Sequence, residues 1–103
     1  MTDEEEVTVE DHNAYGDVPG NKYQGVTVTV RKLMHGRYRC AITAMSGSTR
    51  ERGYVEHIDK EDTVLRGDKF DIKREANQVL SEKYLPYFYR AFNKAIDKLE
   101  EED

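Results

Sequence analysis

Residues 26–44, VTVTVRKLMHGRYRCAITA, decide how this chain folds. Val26, Val28 and Val30 alternate with Thr27, Thr29 and Arg31. After a break, Tyr38, Cys40, Ile42 and Ala44 alternate with Arg37, Arg39, Ala41 and Thr43. Period-two alternation marks strands with one buried face. Parity then selects the register of the hairpin. A two-residue turn at His35-Gly36 would set Val30 against Ala41 and leave Cys40 and Ile42 facing Arg31 and Thr29. A three-residue loop, Met34-His35-Gly36 with Gly36 in the left-handed position, sets Val30 against Cys40, Val28 against Ile42 and Val26 against Ala44. Only the second register leaves one face apolar, so it is the expected one.

That register also puts Arg31 opposite Arg39, with Leu33 and Arg37 next along the same face and Lys32 beside Tyr38 on the other. Like charges directly opposite each other cost roughly a few tenths to 1 kcal/mol unless an anion lies between them. A phosphate or a carboxylate is therefore expected at this end of the hairpin. The charge of the chain is sorted in the same sense. The formal net charge of -5 divides into -7 for residues 1–20, +5 for 21–60, +1 for 61–98 and -4 for 99–103. A basic, β-rich middle between acidic ends suits an anionic partner better than the whole-chain charge does.

Outward from the hairpin, residues 1–21 read as an acidic flexible arm. Val7-Thr8-Val9 alternates but is too short to settle an edge strand. A third strand is expected over Arg50 to Ile58, where Arg50 and Arg52 would extend the basic surface beside Tyr54. Asp59-Lys60-Glu61-Asp62 reads as a loop, and Thr63-Val64-Leu65 as a very short strand. The C-terminal part has helical spacing: Ile72, Ala76, Val79, Leu80 and Tyr84 form one stripe, and Leu85, Phe88, Phe92, Ile96 and Leu99 another. Pro86 divides them, as the first turn of a second helix or as a kink. The expected domain is α+β over residues 22–99, β-rich over 22–73 and helical over 74–99, followed by an acidic tail at 100–103. Its sheet has three to five antiparallel strands covered by a C-terminal helix or kinked helix pair.

The stretch Gly53-Tyr54-Val55-Glu56-His57-Ile58-Asp59, followed by Val64-Leu65-Arg66-Gly67-Asp68-Lys69-Phe70-Asp71-Ile72-Lys73, resembles the second half of small OB-fold RNA-binding domains, such as those of ribosomal proteins and translation initiation factors. The resemblance implies a partly closed barrel in which Gly67-Asp68 precedes the last strand. Phe70 and Ile72 would then point inward, Asp71 and Lys73 outward, and the helices would begin near Glu75. It also implies stacking aromatics, represented here by Tyr38 and Tyr54. The residues allow a competing reading, in which Asp68 or Asp71 caps a helix and the sheet stays open.

For function, the composition favours a non-enzymatic binding module. No glycine-rich phosphate loop, nucleophile elbow or HExxH helix occurs. Cys40 is the only cysteine and reads as a small buried hydrophobe, and His12, His35 and His57 share no ligand spacing, so neither metal nor cofactor is expected. No apolar run approaches a membrane span, and the start Met1-Thr2-Asp3-Glu4-Glu5-Glu6 has no secretory pattern, so a soluble cytoplasmic protein is expected. The first expectation is nucleic-acid binding, to RNA or single strands, by Arg31, Lys32, Arg37, Arg39, Arg50, Arg52 and Tyr54. The acidic arms would modulate it. The alternative is a small regulator or inhibitor of a larger enzyme, using its acidic ends and an interface of Tyr84, Tyr87 and Tyr89. The stripe from Leu85 to Leu99 would equally serve as a homo-oligomer seam.

Overall fold

The structure, a computed structural model, describes residues 6–12, 22–49 and 55–101. Four strands, β1 (Glu6–His12), β2 (Lys22–Lys32), β3 (Tyr38–Thr49) and β4 (Val55–Gly67), form an open antiparallel sheet in the order β1-β2-β3-β4. Helix α1 (Lys69–Val79), a single 3-10 turn (Glu82–Tyr84) and helix α2 (Leu85–Glu101) follow. The fold is α+β, in two layers, with α2 against β1 and β2 and α1 against β4.

The hairpin register is the one that parity selects. Val30 faces Cys40, Val28 faces Ile42, Val26 faces Ala44, and Arg31 faces Arg39. The three valines, Cys40, Ile42 and Ala44 are all buried on the helix side. In the connecting loop Leu33 N–H donates to Arg37 O at 2.8 Å. Both His35 (φ 62°) and Gly36 (φ 70°) are left-handed, whereas the loop pattern predicts this for Gly36 alone. Histidine is among the few non-glycine residues that adopt this region with any frequency.

Three expectations are corrected. Part of the acidic arm, Glu6–His12, is an edge strand paired with β2. Its apolar residues Val7 and Val9 turn to the core, and Arg90 Nε donates to Asp11 Oδ2 at 2.9 Å, tying it to α2. Next, residues 55–58 of the expected third strand, the expected loop over 59–62 and the short strand at 63–65 form one strand, Val55–Gly67, with a register shift at Ser46/Gly47 of β3; residues 50–54 lie outside the described residues. Third, residues 69–73 are helical, not a last strand. Asp68 accepts a hydrogen bond from Asp71 N–H at 2.8 Å and Asp71 answers at Asp68 N–H, a capping box. Ile72 is buried as expected, but Phe70 faces out, 75% exposed. Gly67, at φ 138°, makes the strand-to-helix corner. A Cβ there would meet Asp71 Cβ at 2.7 Å, so only glycine fits.

Of the two uses open to the helix stripe, the structure shows packing within the chain. Phe88, Phe92, Ile96 and Leu99 are buried in the core shared with the sheet. Phe88 and Phe92 stack with ring centroids 5.4 Å apart. Full burial of such a side chain stabilises by about 1.5–3 kcal/mol. Pro86, the second residue of α2, stands in the first turn where no backbone donor is needed. Among the described residues, no helix is long and apolar enough to cross a membrane.

Candidate anion-binding face

Because both helices lie on one side of the sheet, the opposite face stays open. Its residues are those out of phase with the buried valines. Pairing across the four strands aligns Glu6, Arg31, Arg39 and Arg66 in one row. At a strand spacing of about 4.8 Å the three arginines span roughly 10 Å. Arg31 and Arg39 are half-buried and Arg66 is exposed. Glu6 Oε2 lies 3.4 Å from Arg31 Nη2, so this arginine is partly neutralised by the chain's own N-terminal strand. Arg39 and Arg66 form no ion pair or side-chain hydrogen bond among the described residues.

The rows behind change in character. Thr8, Thr29, Ala41 and Val64 come next and are uncharged, with Thr8 and Thr29 hydroxyls 3.0 Å apart. Then come Glu10, Thr27, Thr43 and Asp62, where Thr43 Oγ1 donates to Asp62 Oδ1 at 2.9 Å. In the following row, His12, Gly25, Met45 and Lys60, the lysine lies 3.8 Å from Asp62, so the three adjacent arginines sit in the row nearest the Leu33–Arg37 loop. Exposed Arg37 belongs to that loop, and half-buried Lys32 pairs with buried Tyr38 in the last row before it.

The sequence-predicted site residues are therefore divided. Arg31 and Arg39 come together, with Arg37 and Lys32 at the same end. Arg50, Arg52 and Tyr54 lie outside the described residues. Tyr38 is buried on the helix side, so it is no stacking platform. Arg66 escapes the sequence reading: with Thr63-Val64-Leu65 taken as an isolated strand, nothing sets its register against Arg39.

Of the proposed interface tyrosines, Tyr84 is corrected: it is fully buried. Its hydroxyl lies 3.0 Å from Ser46 Oγ and 3.1 Å from Asp59 Oδ2. Lys83 Nζ stands 3.0 Å from the same carboxylate. Lys83, then the Tyr84 hydroxyl, holds the Asp59 carboxyl below its ordinary range, and burial pushes the Tyr84 phenol up. Ser81 bonds to Glu61 through both its N–H and its hydroxyl. These contacts tie the charged middle of β4 to the 3-10 turn. Tyr87 and Tyr89 are half-buried against the core; Arg90 lies over the Tyr87 ring at 5.1 Å, and Tyr89 donates to Asn77 Oδ1 at 3.3 Å.

Cys40 sits in the core, where burial pushes its thiol up to about 12, far from the range of a reactive thiolate. Among the described residues, no group of three His, Cys, Asp or Glu is placed to hold a metal. No protein-family model matches the chain, and no curated protein or solved structure matches it either.

Proposed function

We propose that this is a non-enzymatic, cytoplasmic binding module that takes nucleic acid, RNA or another single strand, on the open face of its sheet. Arg31, Arg39 and Arg66 carry the contact, with Arg37 in the adjoining loop; Lys32, paired with Tyr38, belongs to the other face. The observation behind this reading is the cross-strand row itself. Three adjacent guanidinium groups repel one another, and that repulsion turns into attraction when a phosphate lies over them. The acidic segments act as internal competitors. Glu6 already takes Arg31, and a tethered carboxylate acts at an effective concentration on the order of mM.

Affinity for a single-stranded oligonucleotide should fall linearly with the logarithm of salt concentration. Replacing Arg39 and Arg66 together by Gln should lower that slope by about two phosphates' worth. An unchanged slope and affinity in the double variant would reject the reading.

A second reading has one observation of its own. The row accepts a carboxylate as readily as a phosphate, as the pairing of Glu6 with Arg31 illustrates. The module would then be a small regulator engaging an acidic segment of a larger protein. Its interface would be the arginine row and not Tyr84. Co-purification with and without nuclease separates the two: a partner that survives nuclease treatment favours the protein.

A further inference from the structure

The sheet has two edges, and β4 is the longer, Val55–Gly67 against Glu6–His12 for β1. From Asp59 to Gly67 it runs in unbroken register with β3. Among the described residues, no other backbone pairs with the outward side of Glu61 to Gly67. An edge of this kind is a template for another strand. On the open face it carries Asp62, Val64 and Arg66, all exposed. Val64 is 49% exposed and takes no part in the core. Asp62 accepts a hydrogen bond from Thr43 and lies 3.8 Å from Lys60, both on the same face.

We infer that β4 pairs with β4 of a second copy of this chain, antiparallel about a two-fold axis at Val64, so that two four-stranded sheets join into one. Parity again selects the register. An axis perpendicular to the sheet keeps the helices of both copies on one side, so residues of like parity face each other. Centring it on Glu61, Asp62 or Arg66 sets that charge against itself, and centring it on Thr63 sets Arg66 opposite Lys60. Centring it on Leu65 sets Asp62 opposite Asp68. Among these only the axis at Val64 sets Arg66 of each copy opposite Asp62 of the other, twice by symmetry, and covers the two valines with each other. On the helix side it sets Leu65 opposite Thr63 and Glu61 opposite Gly67, with no like charges facing. Edge charges ordinarily block such pairing; here they exclude all registers but one. The contact spans residues 61–67 of each copy, less than a permanent interface needs, so the dimer is weak and sensitive to salt. Nothing in this pairing depends on the nucleic-acid reading. The two meet at one residue, because a phosphate and Asp62 of a second copy compete for the Arg66 guanidinium.

Sedimentation equilibrium of the full chain at low salt and without nucleic acid, from about 10 μM to about 1 mM, covers the range in which a small interface associates. The wild-type mass should rise with concentration toward twice that of the monomer. Asp62→Arg alone and Arg66→Asp alone should each stay monomeric, because each sets like charges together at both facing pairs. Mixing the two variants should restore the dimer, since every facing pair in the mixed dimer is again of opposite sign. Val64→Lys, which sets two cations on the axis, should also stay monomeric. All three side chains are exposed, so far-UV circular dichroism of each variant should match wild type. A wild-type chain that is monomeric over the whole range would overturn the inference. So would a dimer that persists in all three variants, or a mixture of the two folded charge variants that stays monomeric. Should a charge variant fail to fold, Val64→Lys decides alone, and a dimer as strong as wild type would count against the pairing. Because no nucleic acid is present, each of these failures leaves the nucleic-acid reading untouched.

Discussion

Arg39 lies between Arg31 and Arg66, and this makes a two-sided prediction. Two guanidinium groups about 5 Å apart, in a medium close to water, repel by about 0.8 kcal/mol. Glu6 offsets part of the repulsion on the Arg31 side, so Arg39 carries about 0.5–1 kcal/mol of unfavourable energy at low ionic strength. At physiological salt, with a screening length of about 8 Å, about half of that remains. Arg39→Gln keeps most of the aliphatic stem and removes the charge. It should therefore raise the free energy of unfolding by about 0.5–1 kcal/mol at low salt, and the gain should fade as salt is added. Urea unfolding of wild type and variant at low and high salt measures this. The same substitution should weaken single-strand binding and lower its salt slope by about one. A variant less stable than wild type at low salt, or a difference indifferent to salt, would refute the electrostatic argument.

Other consequences follow from the polar ties and the loop. Tyr84→Phe removes a buried hydroxyl bonded to Ser46 and Asp59 and should cost about 1–2 kcal/mol in urea unfolding; unchanged stability would mean that these contacts contribute nothing. Asp59 has a folded pKa below its ordinary value near 3.8. Its contribution is therefore fully present above that value and lost as pH falls through the lower folded one, and Asp59→Asn should flatten this acid limb of the stability curve. His35 holds a left-handed backbone. His35→Val should cost about 1–2 kcal/mol, and His35→Gly should be neutral or better; equal melting of the two variants would contradict this.

The hairpin of β2 and β3 is legible in the sequence because alternation and loop length leave a single solution. Val30 cannot face both Cys40 and Ala41, and only one choice makes a core. The stripe of Phe88, Phe92, Ile96 and Leu99 is legible in the same way, from spacing. By contrast β4 is hidden by its own charges. Asp59 and Glu61 look like loop residues because the groups that satisfy them, Lys83, Tyr84 and Ser81, come from the turn twenty or more residues on. An edge strand also tolerates charge that a central strand would not. The β1 strand is masked by the acids Glu6, Glu10 and Asp11, two of which find arginines on other elements. With β4 broken into pieces, Arg66 cannot join the row. Phe70, read as a strand residue pointing inward, cannot be recognised as an exposed ring. The site is thus half visible in the sequence: two arginines follow from local parity, and the third only from tertiary register.

The central claim is that one cross-strand row receives an anionic strand. Amide and arginine side-chain NMR shifts of the full chain, titrated with a single-stranded oligonucleotide, test it most directly. The account predicts shifts concentrated at Arg31, Arg39 and Arg66 and spreading to Arg37, with the far rows from Glu10 to Asp62 unmoved. Shifts centred on α2, or on the acidic end of the sheet, would contradict it.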